Sequence, residues 1–220
     1  STIEVGEIAD EDWKLAYRRH FKTEPIGERL LTVPAWEVEE AKEKWGESGR
    51  QMIVLDPGMA FGTGKHETTR ACLEYIDEVL GEGAVATFLD MGCGSGILSI
   101  AAAKLGVKDV KGFDVDQEAV DASIENAEAN GVKVEFVKFA LGRKDVKAPE
   151  RTYDLVAANI LGPLLIRFVD EIAEYVGDKL ILSGILTTLY PEVKATYEAK
   201  GFREISNKTI GEWTTGLYSR

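Results

Sequence analysis

Thr87-Phe88-Leu89-Asp90-Met91-Gly92-Cys93-Gly94-Ser95-Gly96-Ile97-Leu98-Ser99-Ile100 is the stretch on which the reading of the fold turns. A short apolar run enters a turn with three glycines and leaves it as a second apolar run of helical character. Glycines at such a bend let the backbone turn tightly and let a ligand approach main-chain N–H groups at a helix N-terminus. Working outward from the bend, apolar strand, turn and amphipathic helix repeat. Strands are predicted over 87–91, 109–113, 134–139, 155–158 and 180–182, with helices over 96–105, 117–130, 163–175 and 189–200. Continuous apolar strands alternating with helices predict an α/β domain with a mainly parallel sheet covered on both faces. Two further extended runs, 203–207 and 214–218, have no helix between them and predict a closing antiparallel hairpin strand. In an open parallel sheet, ligands sit at the carboxyl ends of the strands, so the turns there are where chemistry is sought.

The first 50 or so residues read differently, as a helical stretch over 11–20, an extended stretch over 27–33 and a charged helix over 37–45. They predict a linker-like appendage over residues 1–50, with the α/β domain over 51–220. The formal charge is −12, which disfavours counterion-release binding to a nucleic-acid backbone and favours a basic protein as partner. No apolar run reaches the ~20 residues of a bilayer span, and the acidic start is unlike a leader peptide, so the expectation is a cytoplasmic protein that does not engage membranes. The two cysteines, Cys72 and Cys93, are too few for a disulfide scaffold or a structural zinc site and are expected as reduced thiols.

The strand after the bend ends in Asp114, about 20 residues beyond Gly92, the spacing at which a carboxylate meets a ribose diol. Asp116 reads instead as the cap of the next helix. A dinucleotide fingerprint requires glycine at position 97, which is Ile97, and the Lys-Ser/Thr pair of a phosphate-binding loop is absent. A nucleoside cofactor is expected. Asn159 follows the strand 155–158, where its side-chain oxygen can accept a hydrogen bond from an amine and aim the nitrogen lone pair. The loop from Asp56 to Thr69 carries three glycines, several hydroxyls, Phe61 and His66 ahead of a helix start. His66 is read as a residue that orders this loop or accepts a proton; His20 is read as a surface residue. Among the four tryptophans, Trp213 is the pocket candidate.

The spacing Asp90-x-Gly92-x-Gly94-x-Gly96 resembles the first motif of the class I S-adenosylmethionine methyltransferases, which implies a Rossmann-like, seven-stranded, mostly parallel sheet with an antiparallel last strand. Base- and glutamine-methylating relatives resemble Asn-Pro-Pro-Tyr after the fourth strand. This chain has Asn159-Ile160-Leu161-Gly162, without the ring, which points to an aliphatic amine as target. Together with Asp56-Pro57-Gly58-Met59-Ala60-Phe61-Gly62-Thr63-Gly64 and His66-x-Thr68-Thr69, these motifs resemble the PrmA family, methyltransferases of large-subunit ribosomal protein eleven. The resemblance runs from about residue 10 to Trp213.

It implies S-adenosyl-L-methionine as cofactor, with contacts at Thr69, Gly92, Asp114 and Asn159. Phe61, Gly62, Thr63, Asp90, Gly94, Gly96 and Val115 are further candidates from the same motifs. It implies a protein N-methyltransferase acting on α-amino and lysine groups of that ribosomal protein, with Asn159 and His66 as catalytic candidates. Full-length family members carry a small α+β capture domain ahead of the linker, and this chain begins inside the linker. Two alternatives to that target stay open at this point: another protein or small amine, and a cofactor-binding regulator without turnover. The sequence is silent on oligomeric state.

Overall fold

The computed structural model of the chain describes residues 21–55, 67–142 and 151–220. The helix expected over 11–20, with His20, lies outside these residues. The chain opens with β1 (Glu24–Ile26) and β2 (Leu30–Pro34), a short 3-10 turn, helix α1 (Val38–Trp45) and β3 (Gln51–Leu55). The single extended stretch expected over 27–33 is thus a turn at Gly27 followed by a strand. β1 pairs antiparallel with β2, and β2 pairs parallel with β3. β3 starts immediately past the expected boundary at residue 50 and completes the sheet of the preceding segment.

Two side chains fasten this small sheet to the rest. Asp77 is buried and accepts hydrogen bonds from the Glu28 backbone N–H (2.6 Å) and from Arg29 Nε (2.8 Å). Asn130 pairs with the open edge of β3, its Oδ1 accepting from Val54 N–H (2.8 Å) and its Nδ2 donating to the Val54 carbonyl (2.6 Å). Both are obligatory polar groups satisfied at a junction, which makes the attachment specific rather than merely apolar.

The remaining elements are α2 (Glu67–Glu82), β4 (Thr87–Met91), α3 (Ile97–Lys104), β5 (Asp109–Asp114), α4 (Gln117–Ala129), β6 (Glu135–Lys138), β7 (Tyr153–Asn159), α5 (Gly162–Arg167), α6 (Val169–Tyr175), β8 (Val176–Leu186), α7 (Tyr190–Glu198), β9 (Arg203–Ile210) and β10 (Trp213–Ser219). They build a seven-stranded sheet of order β6-β5-β4-β7-β8-β10-β9. Neighbours from β6 to β8 are parallel, and β10 runs antiparallel to both β8 and β9. The mostly parallel sheet with an antiparallel last strand is as expected.

Period-two side-chain alternation splits the core into two layers. Phe88, Leu155, Ala157 and Ile181 face α2, α3 and α4, while Leu89, Met91, Val156, Ala158, Leu180 and Leu182 face α5, α6 and α7. The helix expected over 163–175 is two helices. Phe168 leaves the helical region (φ −105, ψ 19) between them, yet Leu165, Val169, Ile172 and Ala173 stay buried on one stripe. The apolar periodicity therefore runs through a break that it does not reveal. β8 extends well past the expected 180–182: its first residues pair with β7 and its last with β10, each beyond a register irregularity that the apolar pattern does not reveal.

Chain order reverses beside β4. From β4 the chain steps outward to β5 and β6, then crosses back to β7 on the other side. Such a switch point leaves a crevice at the carboxyl ends of the strands.

Candidate cofactor and amine site

The turn after β4 is strapped to its neighbours by main-chain bonds. Gly92 and Cys93 N–H both donate to the Phe113 carbonyl (2.9 Å each), and Gly96 N–H donates to the Cys93 carbonyl (2.7 Å). From α4, Ser123 Oγ donates to the Gly94 carbonyl (2.8 Å) and Asn126 Nδ2 to the Ser95 carbonyl (2.9 Å). Asp114, at the end of β5, accepts from Gly94 N–H through Oδ2 (3.0 Å) and from Asp116 N–H through Oδ1 (3.1 Å). Asp116 caps α4 by accepting from Glu118 N–H, as its sequence position suggests.

A cavity of about 670 Å³ opens at these strand ends, within the ordinary range for a small-molecule site. Its wall brings together Gly92, Gly94, Asp114, Val115, Asn159 and Thr69, residues drawn from four separate stretches of sequence. Trp213, the tryptophan singled out from sequence, lines it as well. Asp114 is the only charged side chain among the described lining residues; the rest of the wall is largely apolar. Asn159, at the end of β7, has no side-chain hydrogen bond to a described residue, so its amide is available to a ligand.

Two sequence candidates lie apart from the cavity. Asp90 is fully buried; its Oδ2 accepts from Ser99 N–H (3.2 Å) and Ser99 Oγ (2.8 Å), while Oδ1 has no partner among the described residues. Burial pushes its carboxyl up to about 7, against the two Ser99 hydrogen bonds, and neighbouring Asp114 adds to the rise. Gly96 (φ +77) packs against the Phe136 ring and Ser123, where an added Cβ would fit tightly, at 3.0 to 3.2 Å, in a backbone conformation that favours glycine. Phe61, Gly62, Thr63 and His66 lie outside the described residues. Both cysteines are free and buried, and burial raises the Cys93 thiol well above its ordinary range, which keeps it protonated in the cavity wall.

Sequence reasoning missed Phe113, Leu141, Leu161, Leu164, Phe168 and Gly184 as wall residues. Leu161 and Leu164 carried a usable signal, being large apolar residues immediately after a strand end that carries a polar candidate. Gly184 and Phe168 carried none, since each reads as an ordinary member of its element.

What the arrangement can do follows from the donor set. A carboxylate beside backbone amides suits a sugar diol, an apolar wall suits a base or thioether, and a free amide oxygen on the far side of β4 suits an amine. The rigid turn, the closely packed glycines and the single carboxylate fit a cationic nucleoside.

Comparison with known proteins gives a consistent result. The sequence profile described as ribosomal protein L11 methyltransferase (PrmA) matches residues 1–219. The ribosomal protein L11 methyltransferase of Geobacter sulfurreducens is 43% identical over 216 residues, covering 97% of this chain and 68% of its own length. A crystal structure of a ribosomal protein L11 methylase from Lactobacillus delbrueckii subsp. bulgaricus superposes with a TM-score of 0.79 at 30% identity, over 91% of this chain and 99% of that one. At the level of fold alone, the N-methyltransferase NodS of Bradyrhizobium japonicum, solved with S-adenosyl-L-homocysteine, aligns at TM-score 0.59 and 13% identity, over 73% of this chain and 91% of that one.

Proposed function

The chain belongs to the ribosomal protein L11 methyltransferase (PrmA) family, and on that premise we propose that it methylates amino groups, the α-amine and lysines, of ribosomal protein L11. S-adenosyl-L-methionine, bound in the cavity, supplies the electrophilic methyl. The observation that carries the reading is the joint placement of the Asp114 carboxylate, the strapped turn from Gly92 to Gly96 and the free Asn159 amide around one apolar cavity.

In this reading Asp114 grips the ribose hydroxyls, with Gly92 and Gly94 letting the ligand lie close to the main chain. Val115, 64% exposed at the rim, offers an apolar surface to the base. Thr69, at the start of α2, closes the opposite side. Phe61, Gly62 and Thr63 are proposed to complete the cofactor contacts, and Asp90 and Gly96 to support the turn from behind.

Asn159 Oδ1 accepts a hydrogen bond from the neutral amine and so aims its lone pair. No covalent nucleophile is needed, and the work of the protein is alignment and exclusion of water. The amine must first lose a proton. A lysine with pKa about 10.4 is less than ~0.1% neutral at pH 7, whereas an α-amine with pKa near 8 is roughly 10% neutral. The α-amine is thus the easier target, and a lysine depends more on desolvation by the apolar wall or on a proton acceptor, a role proposed for His66. A basic ribosomal protein is the electrostatically favoured partner of a chain of charge −12. Among the described residues no helix is long and apolar enough to cross a membrane.

The test is transfer of tritiated methyl from S-adenosyl-L-methionine to purified ribosomal protein L11 by the intact protein, with the labelled residues located by mass spectrometry. Label on α-amine or lysine nitrogen is the expected result. Tight S-adenosyl-L-homocysteine binding without any label on the ribosomal protein would overturn the substrate assignment.

A further inference from the structure

Ile160, the residue after Asn159, is pressed between two segments of chain that leave it no slack. On one side stands the cofactor turn. A methyl group added at Gly92 (φ +73) would lie 2.6 Å from Ile160 Cγ2, well inside any permitted carbon–carbon contact. On the other side stands β8. A methyl added at Gly184 (φ +78) would lie 2.3 Å from the Ile160 carbonyl oxygen, 2.8 Å from its carbonyl carbon and 3.2 Å from its nitrogen. The Ile160 peptide therefore rests directly on the backbone of Gly184, and its side chain on the backbone of Gly92.

Neither support is soft. Gly92 N–H is tied to the Phe113 carbonyl at 2.9 Å, within the same strapped turn that Asp114 holds through Gly94. Gly184 follows Ser183, which is fully buried; its hydroxyl is 2.6 Å from Thr215 Oγ1 and donates to the Thr68 carbonyl (3.3 Å) at the start of α2. Asn159 and Ser183 are themselves register partners across β7 and β8. The cofactor turn meets the branched side chain of Ile160 and β8 meets its main chain, so the thickness of that side chain lies between the cofactor turn and the peptide that follows Asn159.

From this packing we infer that Ile160 is a positioning residue for methyl transfer, a spacer that fixes the distance and aim of Asn159 relative to the bound cofactor. The inference rests on the functional reading above for its chemical consequence, but not for its geometry. Alignment at near-attack distance is steep: a displacement of ~1 Å costs on the order of 100-fold in rate. Ile160→Ala removes Cγ2, the atom that meets Gly92. Ile160→Val keeps Cγ2 and gives up only the terminal methyl, so the spacer keeps its thickness.

The experiment compares Ile160→Ala and Ile160→Val with the unaltered intact protein in two measurements. One is the calorimetric Kd for S-adenosyl-L-homocysteine, and the other the single-turnover rate of methyl transfer to ribosomal protein L11 with cofactor saturating. The expected result for Ile160→Ala is a Kd within about threefold and a rate lower by tenfold or more, with Ile160→Val recovering the rate to within about threefold. A rate for Ile160→Ala equal to the unaltered protein, a loss of affinity as large as the loss of rate, or Ile160→Val as slow as Ile160→Ala would each overturn the inference. Should the unaltered protein label no ribosomal protein at all, the substrate assignment falls. The spacer is then judged by crystal structures of Ile160→Ala and the unaltered protein with S-adenosyl-L-homocysteine. Displacement of the Asn159 amide relative to Gly92 supports it, and an unmoved amide refutes it.

Discussion

Replacing Asp114 by alanine isolates the one charged group in the described cavity wall. Its carboxylate already has two partners in the free protein, Gly94 N–H at 3.0 Å and Asp116 N–H at 3.1 Å, each leaving further lone pairs for a ribose diol. Loss of a charge-assisted hydrogen bond to the sugar is worth about 1.5 to 3 kcal/mol, or roughly 10-fold to 150-fold in Kd. A second effect has the same sign. Without Oδ2 the Gly94 amide loses its acceptor, and the turn that cradles the ligand must be ordered at the moment of binding, which adds up to about 1 kcal/mol. Asp114→Asn keeps an acceptor oxygen while removing the charge, so its loss should fall between zero and that of alanine. The assay is calorimetric titration with S-adenosyl-L-homocysteine, with thermal melting of the unliganded variants as a control for folding. An alanine variant that melts normally and binds within twofold of the unaltered protein would refute the assignment of the ribose to Asp114.

Three further outcomes are expected. Asn159→Ala should lower the transfer rate tenfold or more while S-adenosyl-L-homocysteine affinity stays within about threefold; equal losses in the two measurements would remove its orienting role. Burial holds the Asp90 carboxyl at about 7 against 3.8 for the free residue, so between these pH values the folded protein keeps a proton that the unfolded chain releases. Its contribution to stability is therefore full at low pH and is lost as pH rises towards and through 7. Urea unfolding should show the unaltered protein losing stability relative to Asp90→Asn between pH 5 and pH 8, and a difference independent of pH would contradict the buried, partly protonated carboxyl. Asp77→Ala unpairs the Glu28 amide and takes the carboxylate from the part-exposed Arg29 guanidinium, which keeps its bonds to the Asp77 and Leu80 carbonyls, at a cost of about 2 kcal/mol after allowance for solvent at Arg29. That corresponds to a fall in Tm of about 4 to 8 °C for a chain of this size, and an unchanged Tm would show that the Asp77 carboxylate does not hold the junction.

The centre of the sheet was legible because β4, β7 and β8 carry continuous buried apolar runs between helices, so the period of hydrophobicity switched visibly there. Asp114 and Asn159 could be picked out for a related reason. A polar residue directly after an apolar strand sits at the carboxyl edge of the sheet whatever the rest of the fold does. Asp90 shows the limit of that logic. It lies in the same motif as Gly92, yet strand alternation turns it under α3 onto Ser99, and spelling alone does not say which of two nearby carboxylates meets solvent. The run from Met52 to Leu55 was too short to separate strand from loop, and its pairing with β2 depends on residues some twenty positions away. The break at Phe168 leaves the apolar stripe intact on both sides. Most opaque was the seat of Ile160, because Gly92 and Gly184 lie far apart in sequence and only the folded chain brings both against one residue.

We propose that a sulfonium nucleoside occupies the switch-point cavity with its sugar on Asp114 and its reactive end beside Asn159. A crystal structure of the complex with S-adenosyl-L-homocysteine measures this directly. Ribose hydroxyls within hydrogen-bonding distance of the Asp114 carboxylate, and the cofactor sulfur on the Asn159 side of Gly92, are the expected result. A nucleoside bound elsewhere, or a cavity left empty at saturating ligand, would contradict it.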